Sequence, residues 1–240
     1  MLCWQEGDFL ILIMKSPIIP LFSRTAALAF SVLASCSTQS ARPIANPSVL
    51  QNKKIATTTA YDAPFQAVTP GGASLTALGP VGAVAGASVM TSKGKEIISS
   101  NKVQNPSIHV TKDLANILQE KCAMKPVGTI NASTTKPADF GKLAPQADYV
   151  LDVQTVMWSV VYYPANWGTY RAVTVSSCRL VDCKTGKIVA SGVYTHDPKK
   201  NEQSSTYDGL LGNQAAALKR ELKHSESESV QYFRSNVLKL

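Results

Sequence analysis

The sequence predicts an α+β domain, in which a twisted and largely antiparallel sheet carries helices on one face. Two observations lead there. Residues Ala147–Tyr163, Thr169–Val181 and Lys187–Thr195 read as three consecutive strands joined by turns, a meander near the C-terminus. Helical periodicity appears before it at Ser107–Cys122 and after it from Ser205 onward.

Residues 36–52 are polar and proline-punctuated, and read as a flexible tether ahead of a single domain at 53–240. Lys54–Tyr61 is rich in threonine and suits a first strand. From Ala63 to Ser92 there are 30 residues without a charge. The core of this run, Leu78–Met90, is small and weakly apolar and contains Gly82-x-x-x-Gly86. Two readings stand: residues 74–92 contact a membrane or pair with another helix, or they form a buried helix that lets a sheet approach closely. Its glycines and Pro80 argue against an independent membrane span.

Within Ser107–Cys122, Val110, Leu114, Ile117 and Leu118 share one helical face, and Pro126 follows as a stop. Val127–Ile130 fits a short strand and Ala138–Leu143 a short helix. Along Ala147–Tyr163, Tyr149, Leu151, Val153 and Thr155 alternate with Val150, Asp152, Gln154 and Val156. That period suits a half-buried strand, with Asp152 on its solvent side. Pro164–Gly168 is a turn, and Asp182–Gly186 a second one with Gly186 in the left-handed position of a bulged hairpin. Ser205-Thr-Tyr-Asp208 resembles a capping box. It opens a long helix on which Leu211, Ala215, Leu218, Leu222, Ser229, Phe233 and Val237 keep the period, with a break expected near Ser225.

The N-terminus carries the most specific motif. Lys15 and Arg24 precede an uncharged run of 11 residues, Thr25–Ser35, which ends in Leu33-Ala34-Ser35-Cys36. The order is a basic region, an apolar region and a small-residue cleavage site. It resembles the signal peptides of bacterial lipoproteins, with a lipobox whose Cys36 becomes the acylated first residue. The resemblance implies a signal peptide over residues 1–35, a diacylglycerol thioether and an acyl amide on Cys36, and membrane attachment through that lipid. Thr25–Ser35 is too short to span a bilayer, which takes ~20 apolar residues. Met14-Lys15 opens a conventional basic region, so Met14 is the expected true start. Ser37, where an aspartate would retain such a protein at the inner membrane, implies the outer membrane and its periplasmic face.

The 240 residues carry 24 Lys and Arg against 16 Asp and Glu, a net charge of +8. Removing residues 1–35 takes two of each sign and leaves 22 − 14 = +8. The lysines are scattered, without a helix-length basic stripe, and nucleic acid is excluded by compartment. Cys122, Cys178 and Cys183 follow Cys36, in a compartment that permits disulfides. Cys178 and Cys183 are too far apart on an extended strand to bridge, so a disulfide would join Cys122 to Cys178 or to Cys183.

No motif marks a reaction, a metal or a cofactor. Thr185-Gly186-Lys187 lacks the glycine, five positions earlier, that a phosphate loop needs, since Val181 stands there. His109, His196 and His224 are isolated in sequence, and no carboxylate pair marks a glycosidase. An envelope hydrolase would need a pocket in which Asp152 or His196 meets a nucleophile. The positive signal is aromatic: Trp158, Tyr162, Tyr163, Trp167 and Tyr170 flank one turn. Aromatic residues on a loop anchor interfaces; in the other reading Trp158 and Tyr170 pack into the core while Trp167 merely covers the hairpin.

Ala147-Asp-Tyr-Val-Leu-Asp-Val-Gln-Thr-Val-Met-Trp158, Tyr170, and Leu180-Val-Asp-Cys-Lys-Thr-Gly-Lys-Ile-Val-Ala-Ser-Gly192 resemble a group of uncharacterised Gram-negative lipoproteins, from about Gly79 to the C-terminus. In remoter outline the chain is similar to envelope lipoproteins of the curli-secretion and synthase-activator type. The resemblance implies a non-enzymatic accessory or assembly factor that contacts an envelope protein partner, with homo-oligomerisation compatible. A second expectation is a protein that binds peptidoglycan or activates a cell-wall synthase.

Overall fold

In the computed structural model, residues 41–61, 63–131, 136–199 and 205–240 are described. In chain order the elements are β1 (Ala41–Arg42), β2 (Lys54–Thr58), β3 (Gln66–Val68), α1 (Pro70–Thr76), α2 (Gly79–Asn101), α3 (Pro106–Cys122) and β4 (Lys125–Ile130). There follow α4 (Phe140–Leu143), β5 (Tyr149–Tyr163), β6 (Asn166–Asp182), β7 (Ile188–His196), β8 (Ser205–Thr206) and α5 (Tyr207–Tyr232). A π-helical turn, Phe233–Leu238, closes the chain.

The sheet runs β1-β7-β6-β5-β2-β4, with β3 added to β5 and β8 to β6. The C-terminal meander β5-β6-β7 is antiparallel, as the turn spacing requires. The N-terminal strands differ from that pattern: β2 is parallel to both β4 and β5, and β3 is parallel to β5. Parallel neighbours need a crossover, and α1, α2 and α3 supply it between β2 and β4. The sheet is therefore mixed, and the class is α+β.

One face of the sheet carries the larger helices. Leu151, Val153, Cys178 and Leu180 pack with Val110, Leu114 and Leu118 of α3 and with Phe233 and Val237. Further along, Trp158, Val160 and Ala172 pack with Ile97 of α2 and Leu210, Leu218 and Leu222 of α5. A β-bulge joins these two regions. Thr155 pairs with Ser176 and Met157 with Val175, so Val156 is the extra residue and is exposed. Strict alternation would set Trp158 beside Asp152 and Gln154. The inserted residue shifts the period by one and returns Trp158 to the helix side. The helices are not confined to that side, because Phe140 of α4 and Ala144 cover Val150 and Val181 on the other.

Three expectations are corrected. The tether does not extend through residues 36–52, because from Ala41 onward the chain belongs to the fold. β1 pairs with β7, Ile44 donates its N–H to Val237 O at 2.8 Å, and Leu50 is fully buried. Apolar side chains within a polar stretch supply that attachment. Asp152 is not solvent-facing but buried, as detailed below. The break in α5 falls at Gly212–Ala215, where Asn213, Gln214 and Ala215 take positive φ, and not near Ser225. Ser225 and Ser229 are buried with satisfied hydroxyls: Ser225 bonds Thr174 Oγ1, and Ser229 Oγ donates to Ser225 O at 2.8 Å. Satisfied serines let a helix continue.

Cys122 and Cys178 are buried free thiols and Cys183 is a partly buried one, so neither pairing of Cys122 is formed in this structure. Burial pushes the Cys178 thiol far up, and burial with the nearby Asp182 and Asp148 pushes Cys183 up to about 11.

The charge-free segment folds into a helical hairpin, α1 against α2. A Cβ on Gly82 would lie 2.3 Å from Leu75 O, and one on Gly86 would lie 2.6 Å from Thr76 Cγ2. The Gly82-x-x-x-Gly86 pair thus serves helix pairing within the chain. Among the described residues no helix is long and apolar enough to cross a membrane.

Candidate interaction surface

The aromatic residues divide by depth. Trp158 is fully buried, donates from Nε1 to Ala63 O at 2.7 Å, and meets Phe65 edge-on at 4.9 Å between centroids. Tyr170 is buried against Tyr207 and Tyr162. Tyr163 is buried too, with its hydroxyl donating to Pro198 O at 3.1 Å and the Arg171 guanidinium 4.4 Å from its ring centroid. Tyr162 is partly buried and stands edge-on to Trp167 at 6.4 Å.

Trp167 alone of the five is mainly in solvent, at 66 % exposure. Register explains why. Tyr163 pairs with Asn166 but Tyr162 pairs with Tyr170, so Trp167, Gly168 and Thr169 have no partner on β5. The extra residues push Trp167 outward. Its indole Nε1 donates to Pro164 O at 3.0 Å, and Asn166 Oδ1 accepts the Gly168 N–H at 3.3 Å, which fixes the turn. The result is one exposed indole on a hairpin braced by buried tyrosines.

Beside the turn lies an open groove of about 560 Å³, lined among others by Tyr163, Arg171, Tyr194, His196, Glu221 and Glu228. Tyr194, His196 and His224 converge on Glu228 within it. Glu228 Oε2 lies 2.6 Å from His196 Nδ1 and accepts from Tyr194 OH at 2.9 Å, while Oε1 is 3.2 Å from His224 Nε2. Burial opposes the Glu228 carboxylate, but the bonds from His196 and Tyr194 outweigh it and hold its pKa below the usual glutamate range. Glu221 accepts the Ala172 N–H at 2.7 Å, just past the β7 pairing of β6. Burial raises its pKa, against the pull of that bond and of the His196 and Arg220 charges.

Asp152 sits elsewhere, inside the sheet. Its Oδ2 accepts from Arg179 Nε at 2.8 Å and from the second guanidinium nitrogen, and its Oδ1 accepts from Thr58 Oγ1 and Gln154 Nε2. The structure therefore does not bring Asp152 and His196 together. The hydrogen bond of His196 Nδ1 runs to a carboxylate and not to a hydroxyl or thiol. Among the described residues no group of three or more His, Cys, Asp or Glu is placed to hold a metal ion. His109 is a surface residue bonded to Gln104 at 3.0 Å. Cys36 lies outside the described residues.

Sequence reasoning missed the Glu228 cluster, because Tyr194 and His196 lie on a strand and His224 and Glu228 on a helix 28 residues or more downstream. The only local signal was the i, i+4 spacing of His224 and Glu228.

No family model matches the chain, and no curated protein does. Several solved structures are similar to it in outline. The PelC dodecamer of Paraburkholderia phytofirmans is 13% identical over 80% of this chain and 97% of that one, with a TM-score of 0.34. A Xanthomonas campestris protein of the DUF330 type is 14% identical over 81% and 91%, with a TM-score of 0.37. The lipoprotein GNA1162 of Neisseria meningitidis is 17% identical over 71% and 99%, with a TM-score of 0.25. The structures this chain resembles in outline thus include a lipoprotein from a Gram-negative bacterium.

Proposed function

We propose that the chain is a lipid-anchored lipoprotein on the periplasmic face of the outer membrane, and that it works without catalysis as an accessory or assembly factor. Cys36 supplies the location. The contact is the Trp167 turn, and its exposure on a rigid hairpin is the observation that carries the reading. A large rigid aromatic in solvent loses little conformational entropy on binding and buries much area, which is how interface anchors work. In the neighbouring groove Glu228 is bonded to His196 and Tyr194 and Glu221 to the Ala172 backbone, which supports a structural role for these two carboxylates.

The test is photo-crosslinking in cells from a probe replacing Trp167, with adducts identified by mass spectrometry. Adducts to an envelope protein, or to a second copy of this chain, support the reading and identify the contact. A folded, acylated protein that gives no adduct refutes the turn as the contact. A second reading, peptidoglycan binding or synthase activation, draws on the net charge of +8 and on the tyrosine and arginine side chains of the groove. It requires salt-sensitive binding to purified sacculi, and no binding at low salt ends it.

A further inference from the structure

The end of the sheet beyond the β5–β6 turn has a second exposed feature. β3 runs parallel to β5 with Val68 opposite Val161, so the chain leaves β3 toward that end and enters α1. α2 then returns along the sheet. Gly94 packs so closely on Phe65 that a Cβ there would lie 1.8 Å from its carbonyl oxygen. Beyond the helix end, Asn105 reaches Tyr61 O and Thr155, further back along β5. The first residues of α2 are 15 positions before Gly94, which is ~22 Å of helix toward the turn end.

That tip is apolar and bare. Leu78, Val81 and Val84 are 72 %, 84 % and 73 % exposed, and no charged residue occurs between Ala63 and Ser92. A leucine and two valines this exposed at the start of a helix, without a charge beside them, are costly in water unless something covers them.

The anchor indicates what covers them. β1 is antiparallel to β7, with Ala41 opposite Gly192 and Arg42 opposite Ser191. Because β7 runs toward the same end as β5, the chain enters β1 from the turn end of the sheet. Ala41 stands level with Cys178 and Val153, ten residues or ~30 Å from Tyr163. Cys36 is five residues before Ala41 and reaches at most ~18 Å from it. A bilayer that holds Cys36 therefore lies closer to Ala41 than the end of the sheet does. So short a connection holds the domain against the lipid with its strands lying along the surface and not standing on end, and the direction of entry places the turn end, with the apolar tip, on that surface.

We propose that the α1–α2 tip, Leu78 with Val81 and Val84, seats against the phospholipid surface that holds the acylated Cys36. The inference rests on the anchored reading above. It implies that a partner contacted at Trp167, which lies at the same end, is met at the membrane surface and not in the open periplasm.

The test uses the full processed chain in vesicles of phosphatidylethanolamine and phosphatidylglycerol, with a photo-crosslinking residue at Val81 or, as a control, at Leu143 beside the opposite end of the sheet. Both positions are exposed, so the probes leave the core intact. The expected result is phospholipid adducts about tenfold more abundant at Val81 than at Leu143, a yield set by contact and not by solvent exposure. Val84→Asp is expected to abolish them while the protein still floats with the vesicles. Flotation with acylated Cys36 but no phospholipid adduct at Val81 overturns the seat and leaves the anchor standing. Adducts to a second copy make the tip a self-association face and likewise overturn it. An intact mass without acyl chains on Cys36 overturns the anchor itself, and the seat with it.

Discussion

Arg179 and Asp152 face each other across β6 and β5, with the guanidinium Nε 2.8 Å from a carboxylate that is 1 % exposed. The pair is asymmetric, since about a third of the Arg179 side chain reaches solvent. Removing the arginine strands a buried charge, whereas removing the acid frees an arginine that can rehydrate. Arg179→Ala is therefore expected to cost about 3 kcal/mol and Asp152→Ala about half that, measured as shifts in urea midpoint. Equal costs would mean that the carboxylate is solvated.

A methyl group at position 94 has no room. Gly94→Ala would drive Cβ into the Phe65 carbonyl, and backbone cannot move aside as a flexible side chain can. A loss of about 3 kcal/mol is expected, seen as a lower Tm, with Gly71→Ala as an unstrained control that meets nothing within 4 Å.

Glu226 on α5 titrates in the neutral range. Burial, then the Asp113 charge, push its carboxyl up to about 7 against the pull of Lys223. The folded state binds the proton that the unfolded chain, near 4.5, has released. Stability from this group therefore rises as pH falls from about 7 to 4.5 and is flat below that. Glu226→Gln is expected to stabilise the protein at pH 8 by about 1 kcal/mol, because partial exposure screens most of the shift, and to change little at pH 4. Unfolding curves at the two pH values check the sign.

The thiols give a simple count. In a chain cleaved and acylated at Cys36 as proposed, Cys122, Cys178 and Cys183 are expected to stay unreactive toward a disulfide reagent at pH 8 for minutes, since burial raises all three. All three should react in denaturant. A count of one in denaturant without reductant would reveal a disulfide.

Much of the fold follows from local pattern. The meander, with Gly186 at φ 66° in its second turn, and α3, with Val110, Leu114 and Leu118 on its buried face, follow from period and turn chemistry. These depend on neighbours in sequence, which is the range over which side-chain period acts. The parallel pairing of β2 and β3 does not, because a crossover through three helices can dock on either side of a strand. Asp152 shows the limit most clearly. Alternation placed it opposite Leu151 and Val153, which is correct, but whether that face meets water depends on Thr58 and Arg179 from two other strands.

For the candidate surface, sequence alone supplied the composition: five aromatics about one turn, a charge-free run, and Leu33-Ala34-Ser35-Cys36, which resembles a lipobox. Tertiary structure decided their depths. One bulged residue, Val156, sent Trp158 into the core, and a register shift of β6 against β5 left Trp167 outside. Those outcomes turn on which backbone groups on two strands pair, and a one-residue slip in pairing reverses every side chain beyond it.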